Sequence, residues 1–291
     1  MKMYNFRRIL LYSLFCCFVT IAGCEISTLR LTLFHSRYER TVQLSQSMSG
    51  VTLFSGKSND GWITITGADV TECSLTATII AGAYSDKMAR RIAEESKVKL
   101  EKFGSKLIVI LEKPVIRNYE SVDVQFTAMV PKDCNLEVSA DDGDITTENI
   151  NGDIEIKTDD GKVNISQISG DIKVKSGDGS ITVQDVNTDV QLHKDDRWID
   201  IHTDDGRVTF SRIVGNIKVR SNDGSTRIED VTGDINLQSD DGRITVIYNE
   251  NAGGVCNVSM VTNDGAIDFT APGNFSANVE IITDDGSIKI R

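Results

Sequence analysis

The stretch GDIEIKTDDGKVNISQIS, residues 152–169, decides the fold. It divides into two nine-residue units, opening at Gly152 and Gly161. Two and four residues after each glycine sit apolar side chains: Ile154 and Ile156, then Val163 and Ile165. Apolar β-branched residues alternating with polar ones mark a short strand with one buried face. Nine residues leave no room for a crossover helix, so a βαβ arrangement is excluded. The second unit has a third apolar residue, Ile168, where the first has Asp159. The repeat is therefore two units long, 18 residues, one turn of a coil. Stacked coils bury the Ile/Val rows and satisfy the backbone. The predicted fold is all-β, a parallel β-solenoid (β-helix) of 18-residue coils built from nine-residue units.

The nine-residue step extends both ways from this stretch. Upstream it meets Gly143, and the register begins softly at Cys134 with Leu136 and Val138. Downstream it passes Gly170, Gly179, Thr188, Arg197, Gly206, Gly215, Gly224, Gly233 and Gly242 without interruption. Twelve units give about six coils, roughly 29 Å of stack at ~4.8 Å per coil. The two kinds of unit alternate except at Thr188 and Arg197, which are both of the second kind and predict one inserted half-coil. Asp264-Gly265 and Asp285-Gly286, each followed by alternating apolar residues, predict two more coils with longer connections.

The remaining chain divides by pattern. Residues 1–23 are expected to be a lipoprotein signal peptide, 24–49 a tether, 50–133 a β-rich N-terminal capping region, and 134–291 the solenoid. Ser85 is placed to cap a short helix through about Ser96. Asp60-Gly61 with Ile63 and Ile65 repeats the strand signal early.

Met1–Arg8 carries Lys2, Arg7 and Arg8 and no acid, and Ile9–Ala22 is almost wholly apolar. That run is short for a membrane span, which needs about 20 residues. It ends in Ile21-Ala22-Gly23-Cys24, which resembles the lipobox of bacterial lipoproteins. In that family the cysteine carries the lipid and becomes the new N-terminus, so the resemblance implies lipid attachment at Cys24. The expected location is extracytoplasmic and membrane-anchored. Glu25 implies the outer membrane if the host is diderm.

Loss of the three bases among the first 23 residues takes the formal charge from −12 to −15. Such a field repels phosphates, so nucleic acid is excluded as a partner and anionic lipid surfaces are disfavoured. An envelope protein or a polysaccharide fits better. Cys73, Cys134 and Cys256 remain as buried thiols with one optional bridge, and no spacing suggests zinc.

The acids need a choice between two readings. Asp142, Asp160, Asp178, Asp205, Asp223 and Asp241 each precede a turn glycine. Stacked rows of carboxylate oxygen suit calcium. The plainer reading is turn chemistry, with Asp accepting backbone N–H groups and Gly supplying positive φ. No cofactor is expected unless calcium fills these rows. Around the slip, Arg197 replaces a turn glycine and Trp198 fills a slot held elsewhere by Asp153, Asp171 and Asp234. Trp198, Arg197 and His202 are the candidate ligand contacts; the alternative is that Trp198 plugs the defect. No catalytic constellation is expected, because the carboxylates are repetitive rather than singular.

Asp60-Gly61-Trp62-Ile63-Thr64-Ile65, Val130-Pro131-Lys132, Asp142-Gly143 and Gly152-Asp153 together resemble the bacterial β-strand-repeat family labelled "putative adhesin", over about residues 50–290. The resemblance implies a surface-binding protein without catalytic residues. The functional expectation is a lipid-anchored structural or adhesive envelope protein. The alternative is a calcium-dependent binder of envelope or capsular polysaccharide, and a polysaccharide-active β-helix enzyme ranks third.

Overall fold

The computed structural model describes residues 36–187, 198–248 and 255–291. The chain runs through β1 (Ser36–Ser47), β2 (Leu53–Lys57), β3 (Ile63–Ala68) and β4 (Glu72–Ala83). One helix follows, α1 (Asp86–Glu95), then β5 (Lys97–Phe103), β6 (Lys106–Glu112) and β7 (Ser121–Pro131). From there strands alternate strictly between two facing sheets. The first sheet receives β9 (Ile145–Ile150), β11 (Val163–Ile168), β13 (Ile181–Asn187), β15 (Val208–Val214), β17 (Thr226–Thr232), β19 (Ile244–Ile247), β21 (Ile267–Thr270) and β23 (Ile288–Ile290). The second receives β8 (Asn135–Ser139), β10 (Ile154–Lys157), β12 (Ile172–Ser176), β14 (Trp198–Thr203), β16 (Asn216–Ser221), β18 (Ile235–Ser239), β20 (Val255–Thr262) and β22 (Ser276–Thr283).

This is the parallel β-solenoid the repeat predicts. Ile154 pairs with Ile172 and Val163 with Ile181, an 18-residue coil in parallel register. The two kinds of unit are the two sheets, with the three-apolar kind always in the first. Its third apolar residue has the wrong parity for a plain strand. Left-handed residues resolve this: Asn149, Gln167, Asp185, Arg212 and Asp230 all have φ between 54 and 59°. Each flips the chain once, so Ile150, Ile168, Val186, Ile213 and Val231 turn back into the core. Buried apolar residues from Met48 to Phe269 form one cluster.

Three expectations need correction. The first concerns the turn glycines. Gly143, Gly161, Gly179, Gly206, Gly224 and Gly242 do not have positive φ; they are needed for close approach. A Cβ at Gly224 would lie 2.2 Å from the carbonyl oxygen of Gly206 in the preceding coil.

The second concerns the slip. Ile172 pairs directly with Ile199, and Ile181 with Val208, a 27-residue coil, so no strand lies between β13 and β15. Residues 188–197, on which the expected half-coil falls, lie outside the described residues. A two-sheet stack cannot absorb an odd strand without moving every later unit to the wrong sheet.

The third concerns the N-terminal part. Ser36–Ser47 is not tether; it is a 12-residue strand paired antiparallel with β4 along its whole length. As an edge strand it half-buries only Tyr38, Val42 and Leu44 against the core, so its sequence looks polar. The solenoid also begins before residue 134. The β2–β3 coil pairs parallel with β8 and β9, and β6–β7 pairs parallel on its other side. Chain order and stacking order therefore differ at this end. The antiparallel strands β1, β4 and β5 close it, with α1 packed on β1 and β4. Ser85 caps α1 by accepting from Met88 N, and Ala89, Ile92 and Ala93 are its buried face. The closure protects the sheet edge. The folded unit, Ser36–Arg291, holds all of the described core.

Candidate binding face

The outer face of the second sheet presents side chains in columns, one per coil. The first column, read along the stack, is Asn135, Asp153, Asp171, Trp198, Asn216, Asp234, Asn257 and Asn278. Its Asn and Asp side chains brace the backbone. Asn135 Oδ1 accepts from Asp153 N at 2.9 Å, Asn216 Oδ1 from Asp234 N at 3.0 Å, and Asp234 Oδ1 from Asn257 N at 2.8 Å. Trp198 is the one aromatic residue in this column, half-buried on the pleat.

Two depressions meet at Trp198. One, about 410 Å³, is lined by Asn135, Asp153, Glu155, Asp171, Lys173 and Asp200 beside the indole. The other, about 320 Å³, is lined by Asp234, Asn236, Asn257, Ser259, Asn278 and Glu280. The first is acidic and the second mostly amide and hydroxyl. Together they run from β2 to β22, eight strand spacings, or about 38 Å.

The other sequence candidates are dispersed. His202 is exposed on the same face but lies four residues along β14, about 13 Å from Trp198. It stands between Lys175 and Arg220 and lines neither depression. Arg197 and Cys24 lie outside the described residues.

The aspartate column occupies a different edge, at the turns that follow the second-sheet strands. It is longer than the six residues expected. The glycine contacts stack Asp60, Asp142, Asp160, Asp178, Asp205, Asp223, Asp241, Asp264 and Asp285 one per coil. The carboxyls of Asp60 and Asp241 are pushed above the usual range, first by desolvation and then by neighbouring aspartates. Among the described residues, no group of three or more His, Cys, Asp and Glu side chains converges to hold a metal ion.

The turn chemistry belongs to a residue the sequence reading passed over. Three positions before eight of the nine turn glycines stands a serine or threonine, Ser58, Thr158, Ser176, Thr203, Ser221, Ser239, Thr262 and Thr283, with Ala140 in that place before Gly143. Thr262 Oγ1 accepts from Gly265 N at 3.2 Å and donates to Asp240 O of the preceding coil at 2.9 Å. Ser239 does the same with Gly242 N and Asn222 O, both at 3.0 Å. At these turns the hydroxyl, not the carboxylate, ties one coil to the next, whereas the Ser176 hydroxyl is buried without a hydrogen-bond partner. Its signal was present in the sequence as Ser/Thr-x-x-Gly. It was masked by the louder Asp-Gly pair.

Cys73, Cys134 and Cys256 are free and buried. Desolvation pushes the Cys73 thiol up to about 12 and the Cys134 thiol to about 11.

Residues 35–291 match the family described as Toastrack DUF4097. Among solved structures, a "putative lipid binding protein" from Parabacteroides distasonis is 14% identical, with a TM-score of 0.48 over 87% of this chain and 96% of that one. A "putative adhesin" from Bacteroides fragilis is 13% identical, with a TM-score of 0.34 over 87% and 97%. A "putative cell adhesion protein" from Clostridium sporogenes is 12% identical, with a TM-score of 0.34 over 73% and 100%. None of the curated proteins matches the chain.

Proposed function

The chain belongs to the Toastrack DUF4097 family, and on that premise we propose that it is a non-catalytic binding protein of the cell envelope, held to a membrane through lipid on Cys24. Its ligand is an extended polysaccharide lying along the outer face of the second sheet, with a sugar ring stacked on Trp198. The observation that carries this reading is the meeting of two depressions at one indole. An aromatic face set among amide, hydroxyl and carboxylate groups offers a sugar both its apolar side and its hydroxyl partners. The carboxylates there brace the coils, which supports binding rather than hydrolysis.

A second reading keeps the polysaccharide and adds calcium along the aspartate column. It is supported by the raised carboxyls of Asp60, beside Asp123 and Asp142, and of Asp241, beside Asp264 and Asp223, where a divalent cation would relieve the repulsion between neighbours.

One experiment addresses both. The protein and its Trp198→Ala variant are co-sedimented with isolated envelope and capsule polymers, in calcium and then in EDTA. Retention lost in Trp198→Ala supports the binding face, and equal retention of both proteins refutes it. Retention lost in EDTA supports the calcium reading. Release of oligosaccharides during incubation would overturn the non-catalytic assignment. Lipidation is tested apart from binding, by the mass of the N-terminal peptide and its change in Cys24→Ser.

A further inference from the structure

The last coil leaves the core uncovered. β22 and β23 are the end strands of the two sheets, and among the described residues no strand pairs with their outer edges. Their inward side chains continue the core rows. Val279 stands over Val258, Ile281 over Met260, Ile288 over Ile267 and Ile290 over Phe269. The four residues of the preceding coil are buried, whereas Val279 is 43% exposed, Ile288 46% and Ile290 65%. Around this apolar patch run two rows of backbone N–H and C=O groups that only another strand satisfies in full.

Edge chemistry distinguishes the two ends of the stack. At the closed end the edge strands are β1 and β5. β1 carries Arg37, Glu39 and Arg40, and β5 carries Lys97, Lys99, Glu101 and Lys102. Charges along an edge oppose pairing with a further strand. β22 and β23 together carry Glu280 and Lys289 as their charges, and no proline. The apolar end is therefore built to be paired, and the closed end is not. A head-to-tail contact, which would propagate into a fibre, is disfavoured.

From these observations we infer that the open end is the interface of a two-fold dimer, in which β22 and β23 pair antiparallel with β22 and β23 of a second copy. The only other two-fold stacking sets β22 on β23. That rotation would lay the turn Asp284-Asp285-Gly286, where the aspartate column ends, upon its own copy. Pairing each strand with itself instead lays this turn over the opposite side of the second copy's coil. That side is formed by residues 271–275 and Arg291, with Ala271 N donating to Arg291 O at 3.1 Å, and it holds no acidic side chain. Like-charge repulsion thus selects the self-pairing. β22 is eight residues long, about 26 Å, and the end face spans roughly 500 Å² per copy, or about 1,000 Å² in all. That meets the lower bound for a specific interface, and strand pairing adds main-chain hydrogen bonds. The same rotation keeps both second sheets on one side of the dimer. The depression lined by Asn278, Val279 and Glu280 then runs on into its copy. The inference does not depend on the polysaccharide reading, since dimerisation and retention by polymers are measured separately.

The test uses residues 25–291, which contain the whole folded unit. Sedimentation equilibrium is followed from about 1 to about 100 µM. A reversible dimer is expected, and Val279→Lys/Ile290→Lys is expected to raise its dissociation constant at least about tenfold. Ile290→Lys alone, at the most exposed of these positions, serves where the double variant melts early. Orientation is read by pulsed dipolar spectroscopy. A spin label at Lys289→Cys is expected to lie within about 30 Å of its copy, and one at Gln43→Cys, on β1 at the far end of each stack, to show no coupling. A monomer throughout overturns the inference, as does a dimer that the substitutions leave intact or one in which the labels meet at position 43.

Discussion

Replacing Ser239 by alanine and, separately, Asp241 by asparagine asks which side chain builds the turn. Both residues sit in the turn Ser239-Asp240-Asp241-Gly242, one coil among many. Ser239 is 7% exposed, and its hydroxyl makes two 3.0 Å hydrogen bonds, from Gly242 N and to Asn222 O. Alanine fills nearly the same space and removes both. Each such bond contributes about 1 kcal/mol net, and leaving the buried Gly242 N–H without its acceptor adds about 1 kcal/mol more. The expected loss is therefore about 2–3 kcal/mol. Asp241 is exposed, and its carboxyl is pushed up by desolvation and by Asp264, Asp223 and Asp240. Asparagine removes a repelled charge, so stability should hold or rise slightly at neutral pH. The assay is urea denaturation followed by circular dichroism, comparing midpoints at constant slope. A loss below about 0.5 kcal/mol in Ser239→Ala, or a larger loss in Asp241→Asn, would refute the hydroxyl-centred account of the turn.

Other predictions follow from the same coil geometry. Gly224→Ala should cost about 3 kcal/mol or more, because its Cβ meets the Gly206 carbonyl at 2.2 Å; a melting temperature close to that of the unsubstituted protein would contradict this. Gln167, at φ 56°, should accept glycine with a gain of about 0.5 kcal/mol and valine only with a loss of about 1 kcal/mol, read by thermal melting. Asp60 and Asp241 have folded pKa values above their unfolded ones, so the native state binds the extra protons. Their contribution to stability is fully present below the unfolded value of 3.8 and is lost as pH rises through the folded values. Asp241→Asn should flatten part of that slope in a pH series of denaturation midpoints. Cys73 and Cys134 should resist a thiol reagent near neutral pH and react on unfolding, since burial holds both thiols protonated.

The candidate site was legible only in part. Trp198 stood out because it breaks a column of Asn and Asp, and the structure places it where two depressions meet. His202 shares that face but stands about 13 Å from the indole, since four residues along a strand are four full rises apart.

The sequence by itself determined the repeat, the strand alternation and therefore the parallel solenoid. These follow from local chemistry copied coil after coil: a branched apolar residue every second position and a turn every ninth. Only the tertiary structure decided where the copies end and how departures are absorbed. Two facing sheets admit strands in pairs, and across the extra nine residues β12 pairs directly with β14 and β13 with β15. The closing of the first coil by β1, β4 and α1 depends on antiparallel partners far apart in sequence, 47 residues for Ser36 and Ala83 and 55 for Ser74 and Met129. β1 is polar and half-buried and β4 alternates over twelve residues without a turn glycine, so neither carries the repeat. The Ser/Thr-x-x-Gly spacing is in the sequence, but its role shows only when stacking brings the carbonyl of one coil above the hydroxyl of the next.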